Sequence, residues 1–136
     1  MASQTNNDFE QNIKLKILTL NVRGLKNKKK RRSLFDSFKL KQFDIICLQE
    51  TYLSSEVIDQ IQKEWGGIVH SSEGVGRSKG ILTLFNKNLN NFQITKGFTN
   101  ARCLVSKLKT EESIFIVCNV YAPCVQAEKH GFFKNG

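Results

Sequence analysis

Residues Asp44-Ile45-Ile46-Cys47-Leu48-Gln49-Glu50 decide the fold. Four successive apolar residues in so short a run suit a strand covered on both faces, as in a sheet with a layer on either side. Working outward, residues 14–20 (KLKILTL) form a second strand rich in Leu and Ile. Asn21-Val22-Arg23-Gly24 breaks it, and Gly24 is free to take a positive φ. Between the two strands, Leu34, Phe35 and Phe38 give a helix over about 29–41 one apolar face. Leu40 falls off that face. A second helix starts at Ser54 or Ser55, either of which can cap it, with Glu56 in the first turn. Val57, Ile58, Ile61 and Trp65 repeat at helical spacing, and Gly66-Gly67 ends the pattern.

Strand signals dominate from there: 68–71, 81–85, 92–96, 103–108 and 114–121. Thr110-Glu111-Glu112 suits a hairpin turn between the last two, and Pro123 stops the final strand. Such an order, β-α-β-α and then β, fits a mixed sheet with helices on one face. The polar residues 1–12 read as a flexible tail, without the apolar segment of a secretory signal. The remainder, 13–136, reads as part of one domain. It ends on Phe132 and Phe133, a bulky apolar pair that a finished domain would bury, so a cut C-terminus and a marginally stable product are expected.

Composition narrows the function. Ten Phe and 40% hydrophobic residues argue against disorder. The longest apolar run, residues 114–118, is far short of the roughly 20 residues a membrane span needs. Cys47, Cys103, Cys118 and Cys124 form no C-x-x-C pair, so a structural zinc site is not expected. The first three lie in apolar runs and read as small buried hydrophobes of a reduced protein. Net charge is +9, and Lys26, Lys28, Lys29, Lys30, Arg31 and Arg32 concentrate six positive charges in one stretch. Such a block suits phosphate backbones, with the nucleus as a natural destination.

Polar residues that follow buried strands are aimed by a rigid sheet into a shared crevice. Asn21, Glu50 and Tyr121 stand in such places, with Asn119 two residues before Tyr121. A carboxylate at the end of an apolar strand is costly to bury unpaired, and a hard cation offsets that cost. On spacing alone each has a plainer reading: a turn residue, an exposed Glu leading a helix, an edge aromatic. The loop GVGRSKG (74–80) is no phosphate loop, because no Ser or Thr follows Lys79. Arg23, Arg77 and Lys79 are weak candidates for phosphate contact. His70 and His130 have no visible catalytic partner and read as surface or satisfied histidines.

ILTLNVRGL, IICLQET and NVYAP, in this order, resemble the endonuclease/exonuclease/phosphatase superfamily, most of all the apurinic/apyrimidinic-like endonuclease domain of non-LTR retrotransposons. The resemblance runs from about Lys14 to the C-terminus. It implies a four-layer α/β sandwich, of which this chain holds roughly the first sheet and its helices, leaving an inner apolar face without a partner layer. It also implies cleavage of DNA phosphodiesters with Mg²⁺, or Mn²⁺ in its place. Glu50 matches the metal-binding Glu, Asn21 the Asn that orders the site, and Tyr121 the Tyr at the scissile phosphate. A longer polyprotein including reverse transcriptase is the implied context.

Two departures bear on activity. Cys124 stands where the family pattern has Asn, and a thiol poorly replaces an amide. The 136 residues contain neither Gly-Asp-x-Asn nor Ser-Asp-His, the family's later motifs. Without that base and His–Asp pair, the lone chain is expected to be inactive. The alternatives are a non-catalytic nucleic-acid binder, carried by the basic block, and a truncated product without selected function.

Overall fold

The computed structural model describes residues 13–72 and 79–122. Cys124, Arg77, His130, Phe132, Phe133 and the 1–12 tail lie outside the described residues.

Among the described residues, seven strands and two helices follow the expected order: β1 (Ile17–Asn21), α1 (Lys28–Leu40), β2 (Ile45–Gln49), α2 (Ser55–Trp65), β3 (Val69–Ser71), β4 (Ile81–Phe85), β5 (Gln93–Thr99), β6 (Cys103–Lys109) and β7 (Ile114–Val120). They form two sheets, ordered β1-β2-β4-β3 and β5-β6-β7. In the first, β1 and β2 are parallel, joined through α1 as a parallel pair requires, and β4 runs antiparallel to both β2 and β3. The second sheet is antiparallel throughout.

Local chemistry places the helices. Asn27 caps α1 by accepting a bond from the Lys30 N–H at 3.0 Å. Ser54 caps α2, and Gly66 closes it at φ +83°. Gly67 must be glycine for a different reason: a Cβ there would sit 2.2 Å from the Phe85 carbonyl oxygen, which accepts the Trp65 indole N–H at 2.8 Å.

Alternation along β2 and β4 divides the core. Ile46, Leu48, Leu82 and Leu84 face the helices and pack with Phe35, Phe38, Ile61 and Trp65. Ile45, Cys47 and Phe85 face the second sheet and pack with Leu108, Phe115 and Val117. Every residue of β2 and β4 is buried, as the run IICLQ predicts.

The expectation of one sheet with a bare inner face needs correcting. Strands β5–β7 do not extend the first sheet; they form the layer that covers it. The described residues are thus helices, sheet and sheet. Among the described residues nothing covers the outer side of β7, where Ile114, Ile116 and Val120 are about half exposed. Two cysteine expectations change with it. Cys118 is exposed and Cys103 half-buried, so of the described cysteines only Cys47 is the buried hydrophobe the sequence suggests. Burial pushes its thiol up to about 11.

Candidate functional site

Register builds the site. Parallel pairing sets Asn21 opposite Gln49, so β1 and β2 end at one edge, with Glu50 next in the chain. Antiparallel pairing sets Ile81 opposite Gln49, so Lys79 and Gly80 enter β4 at the same edge. The ladder continues past the strands. Val22, Gly24 and Leu25 N–H donate to the carbonyls of Gln49, Glu50 and Thr51 at 2.7–3.0 Å. Thr51 and Tyr52 N–H donate to Gly80 and Lys79 at 3.3 and 2.9 Å. Residues 50–52 are therefore clamped from both sides.

This clamp holds an unusual backbone. Arg23, Glu50 and Tyr52 take φ values of +50°, +55° and +53°, a region that non-glycine residues rarely enter. Such conformations persist only where the surroundings over-determine them. Gly80, at φ +80°, leaves the room: a Cβ there would lie 2.6 Å from Thr51 Oγ1.

The side chains then converge. Glu50 is buried, and its Oε2 accepts a hydrogen bond from the Asn21 amide. Its Oε1 accepts from the Tyr52 phenol at 3.2 Å and lies 3.9 Å from Lys79 Nζ. Lys79 Nζ donates to the Tyr121 hydroxyl at 2.7 Å and sits 5.2 Å from that ring's centre. The bond to Tyr121, aided by Glu50, holds the ammonium above the ordinary lysine value, so Lys79 is charged at neutral pH.

Tyr121 reaches this edge from the second sheet through Asn119, which is 1% exposed. The Asn119 amide donates to Leu82 O and Thr83 Oγ1 at 2.9 and 3.0 Å and accepts from Gln49 Nε2 at 2.9 Å. Gln49 also donates to Thr19 Oγ1 at 2.9 Å. A fully partnered polar bridge thus fixes β7 against β1, β2 and β4 one residue below Glu50.

Asn21, Glu50, Lys79 and Tyr121, all named from sequence, are brought together. Tyr52 was missed, because the left-handed turn at Glu50 and Tyr52 that brings the phenol onto the carboxylate leaves no mark in the sequence pattern. The basic block is divided. Lys26, Lys28, Lys29 and Arg32 are exposed, and Lys30 donates to the Val22 carbonyl at 2.6 Å. Arg31 is 2% exposed and turned inward. It forks onto both Glu64 oxygens at 2.8 and 3.0 Å and donates to Leu25 O and Lys26 O. That bond holds the Glu64 carboxyl below its ordinary value. Arg31 is a structural tie between α1, α2 and the preceding loop, and is unavailable to a phosphate. Arg23 is exposed beside the Asn21 turn. His70 is satisfied as expected, 2.8 Å from Ser106 Oγ.

A model of the endonuclease/exonuclease/phosphatase family matches residues 18–132. The chain belongs to this family. Among solved structures, the AP endonuclease of Leishmania major is 21% identical, with a TM-score of 0.64 over 87% of this chain and 43% of that one. The endonuclease domain of TRAS1, a telomere-specific non-LTR retrotransposon, is 16% identical, with a TM-score of 0.60 over 89% of this chain and 52% of its own length. The chain spans about half the length of each. No curated protein matches. Both likenesses place this family member in the same fold.

The residues fit a hard divalent cation. Among the described residues no cluster of three His, Cys, Asp or Glu exists. A single oriented carboxylate beside an amide is what Mg²⁺ uses when water and substrate phosphate complete its shell.

Proposed function

We propose that this chain supplies the metal- and phosphate-binding part of a DNA endonuclease site. The observation that carries the reading is the meeting of Asn21, Glu50, Lys79 and Tyr121 at one sheet edge, from four strand ends in two layers. Glu50 would hold Mg²⁺ or Mn²⁺, which when bound offsets negative charge at a phosphodiester. Asn21 keeps the Glu50 carboxylate turned toward the crevice. Lys79 and Tyr121 present an ammonium and a phenol to non-bridging phosphate oxygens, bonds that strengthen when charge develops there. Exposed Lys26, Lys28, Lys29 and Arg32 extend the positive surface along α1 for a DNA backbone. The Leishmania enzyme and the TRAS1 domain are both named as endonucleases, which supports DNA as substrate. A retrotransposon polyprotein remains the proposed setting, with reverse transcriptase as the accompanying part.

Cleavage also needs a group to activate water. His70 is engaged with Ser106 and stacked edge-on against Phe85, away from this task. The 136-residue chain is therefore expected to bind the cation without turning over. Nicking of supercoiled plasmid in Mg²⁺, against EDTA and beside Glu50→Ala, tests this. No nicking is expected from the chain alone. Mg²⁺-dependent nicking that Glu50→Ala abolishes would keep the site assignment and refute the need for further residues.

A second reading, non-catalytic nucleic-acid binding, is favoured by the exposed face of α1. It requires affinity that falls steeply with salt and ignores Mg²⁺.

A further inference from the structure

Tyr52 is exposed enough, at 40%, that burial of its ring does not explain its position. Its backbone does not explain it either, since φ +53° is strained for a bulky side chain. Two left-handed residues within three, Glu50 and Tyr52, interrupt the extended backbone while the pairing on both sides continues. The phenol thereby meets the carboxylate of a residue only two positions earlier. Gly24, at φ +99°, faces the ring edge, where a Cβ would come to 4.0 Å from Tyr52 Cδ2. Each oxygen of Glu50 thus carries a neutral donor, Asn21 on Oε2 and Tyr52 on Oε1, with the Lys79 ammonium also 3.9 Å from Oε1.

We propose that Tyr52 is a positioning residue that fixes the plane of the Glu50 carboxylate and so tunes this site toward cations of strict geometry. The proposal rests on the reading of Glu50 as the metal-binding residue. Its physical basis is that each carboxylate oxygen has more than one lone pair. A neutral donor on each oxygen leaves acceptor capacity for a cation while preventing the group from rotating. Mg²⁺ tolerates little distortion, whereas Ca²⁺ accepts irregular shells. Freeing one oxygen should therefore hurt Mg²⁺ more than Ca²⁺.

The test uses the full chain and needs no turnover. Mn²⁺ binding is followed by electron paramagnetic resonance, with Mg²⁺ and Ca²⁺ as competitors, for wild type, Tyr52→Phe and Glu50→Gln. Thermal melting checks that each variant folds. Tyr52→Phe keeps the ring and the backbone and removes only the donor. The expected result is Mg²⁺ affinity lowered about tenfold, Ca²⁺ affinity changed much less, and an unchanged melt. Glu50→Gln should abolish binding of all three. Equal loss for Mg²⁺ and Ca²⁺, or no loss, in Tyr52→Phe would overturn the proposal while leaving Glu50 as the ligand. Unchanged binding in Glu50→Gln would overturn the metal-site reading and this inference with it. Should Tyr52→Phe melt early, Tyr52→Leu and Tyr52→Gln are compared instead. The Gln side chain keeps a neutral N–H donor and the Leu side chain has none, so the proposal requires the Gln variant to retain more of the Mg²⁺ to Ca²⁺ preference, and equal ratios overturn it.

Discussion

Strands β2 and β7 are both continuous apolar runs in sequence, IICLQ and IFIVCNV, yet they differ in the fold. Every β2 residue is buried between the helices and the second sheet. In β7, Phe115, Val117 and Asn119 point into the sandwich, and Ile114, Ile116, Cys118 and Val120 point out of it. No described residue covers that outer side. An unbroken apolar run thus encodes two contacts, of which β2 has both and β7 one. The candidate site straddles this difference: Glu50 stands on the fully packed side, and Tyr121 on the side held through Asn119.

The largest expected effect tests the packed side. Leu48→Ala should cost about 3 kcal/mol in chemical denaturation, because the side chain is fully buried against both helices and the neighbouring strands. Asn119→Ala should come next, at about 2 kcal/mol, since Gln49, Leu82 and Thr83 would lose a buried partner. It should also loosen Tyr121, visible as a shift of the Tyr121 ring resonances, whereas Leu48→Ala should leave those in place if its fold survives. Gly80→Ala should cost about 1–2 kcal/mol, from its positive φ and the clash with Thr51, and should weaken cation binding through the 50–52 clamp.

A smaller effect comes from pH. Burial, with Lys96 nearby, lowers the His70 pKa below its ordinary 6.5 in the folded chain. The unfolded chain then takes up the proton first. Stability is flat above 6.5 with respect to this group, and falls as pH drops from 6.5 through the folded value. His70→Gln should flatten that part of a stability–pH curve. The smallest effect belongs to the bare side of β7: Ile116→Ser should change stability by less than about 0.5 kcal/mol. A loss there as large as at Leu48 would show that this face is covered in solution and would break the comparison.

Much of this was legible in the sequence. IICLQ gave away its double cover, α2 kept its Ser54 cap and both helices their apolar faces, and the strand ends bearing Asn21, Glu50 and Tyr121 met as their register requires. Assignment of strands to sheets was not legible, because chain order does not say whether β5 continues the first sheet or turns to cover it. Arg31 was readable in hindsight. It lies four and seven residues before Phe35 and Phe38, on the buried stripe of α1, and only its charge made it look solvent-facing. Its partner Glu64 is 33 positions away, beyond any local signal. Tyr52 depends on two left-handed residues, which no periodicity announces.

The central claim is that one sheet edge forms a cation site from Asn21, Glu50, Lys79 and Tyr121. Titration of Mn²⁺ into ¹⁵N-labelled chain, followed by paramagnetic broadening of amide resonances, tests it most directly. The account predicts that broadening begins at Asn21, residues 50–52, Lys79, Gly80 and Tyr121, and is absent in Glu50→Gln. Broadening that starts instead at the acidic Glu111-Glu112 turn, or that survives Glu50→Gln, would contradict it.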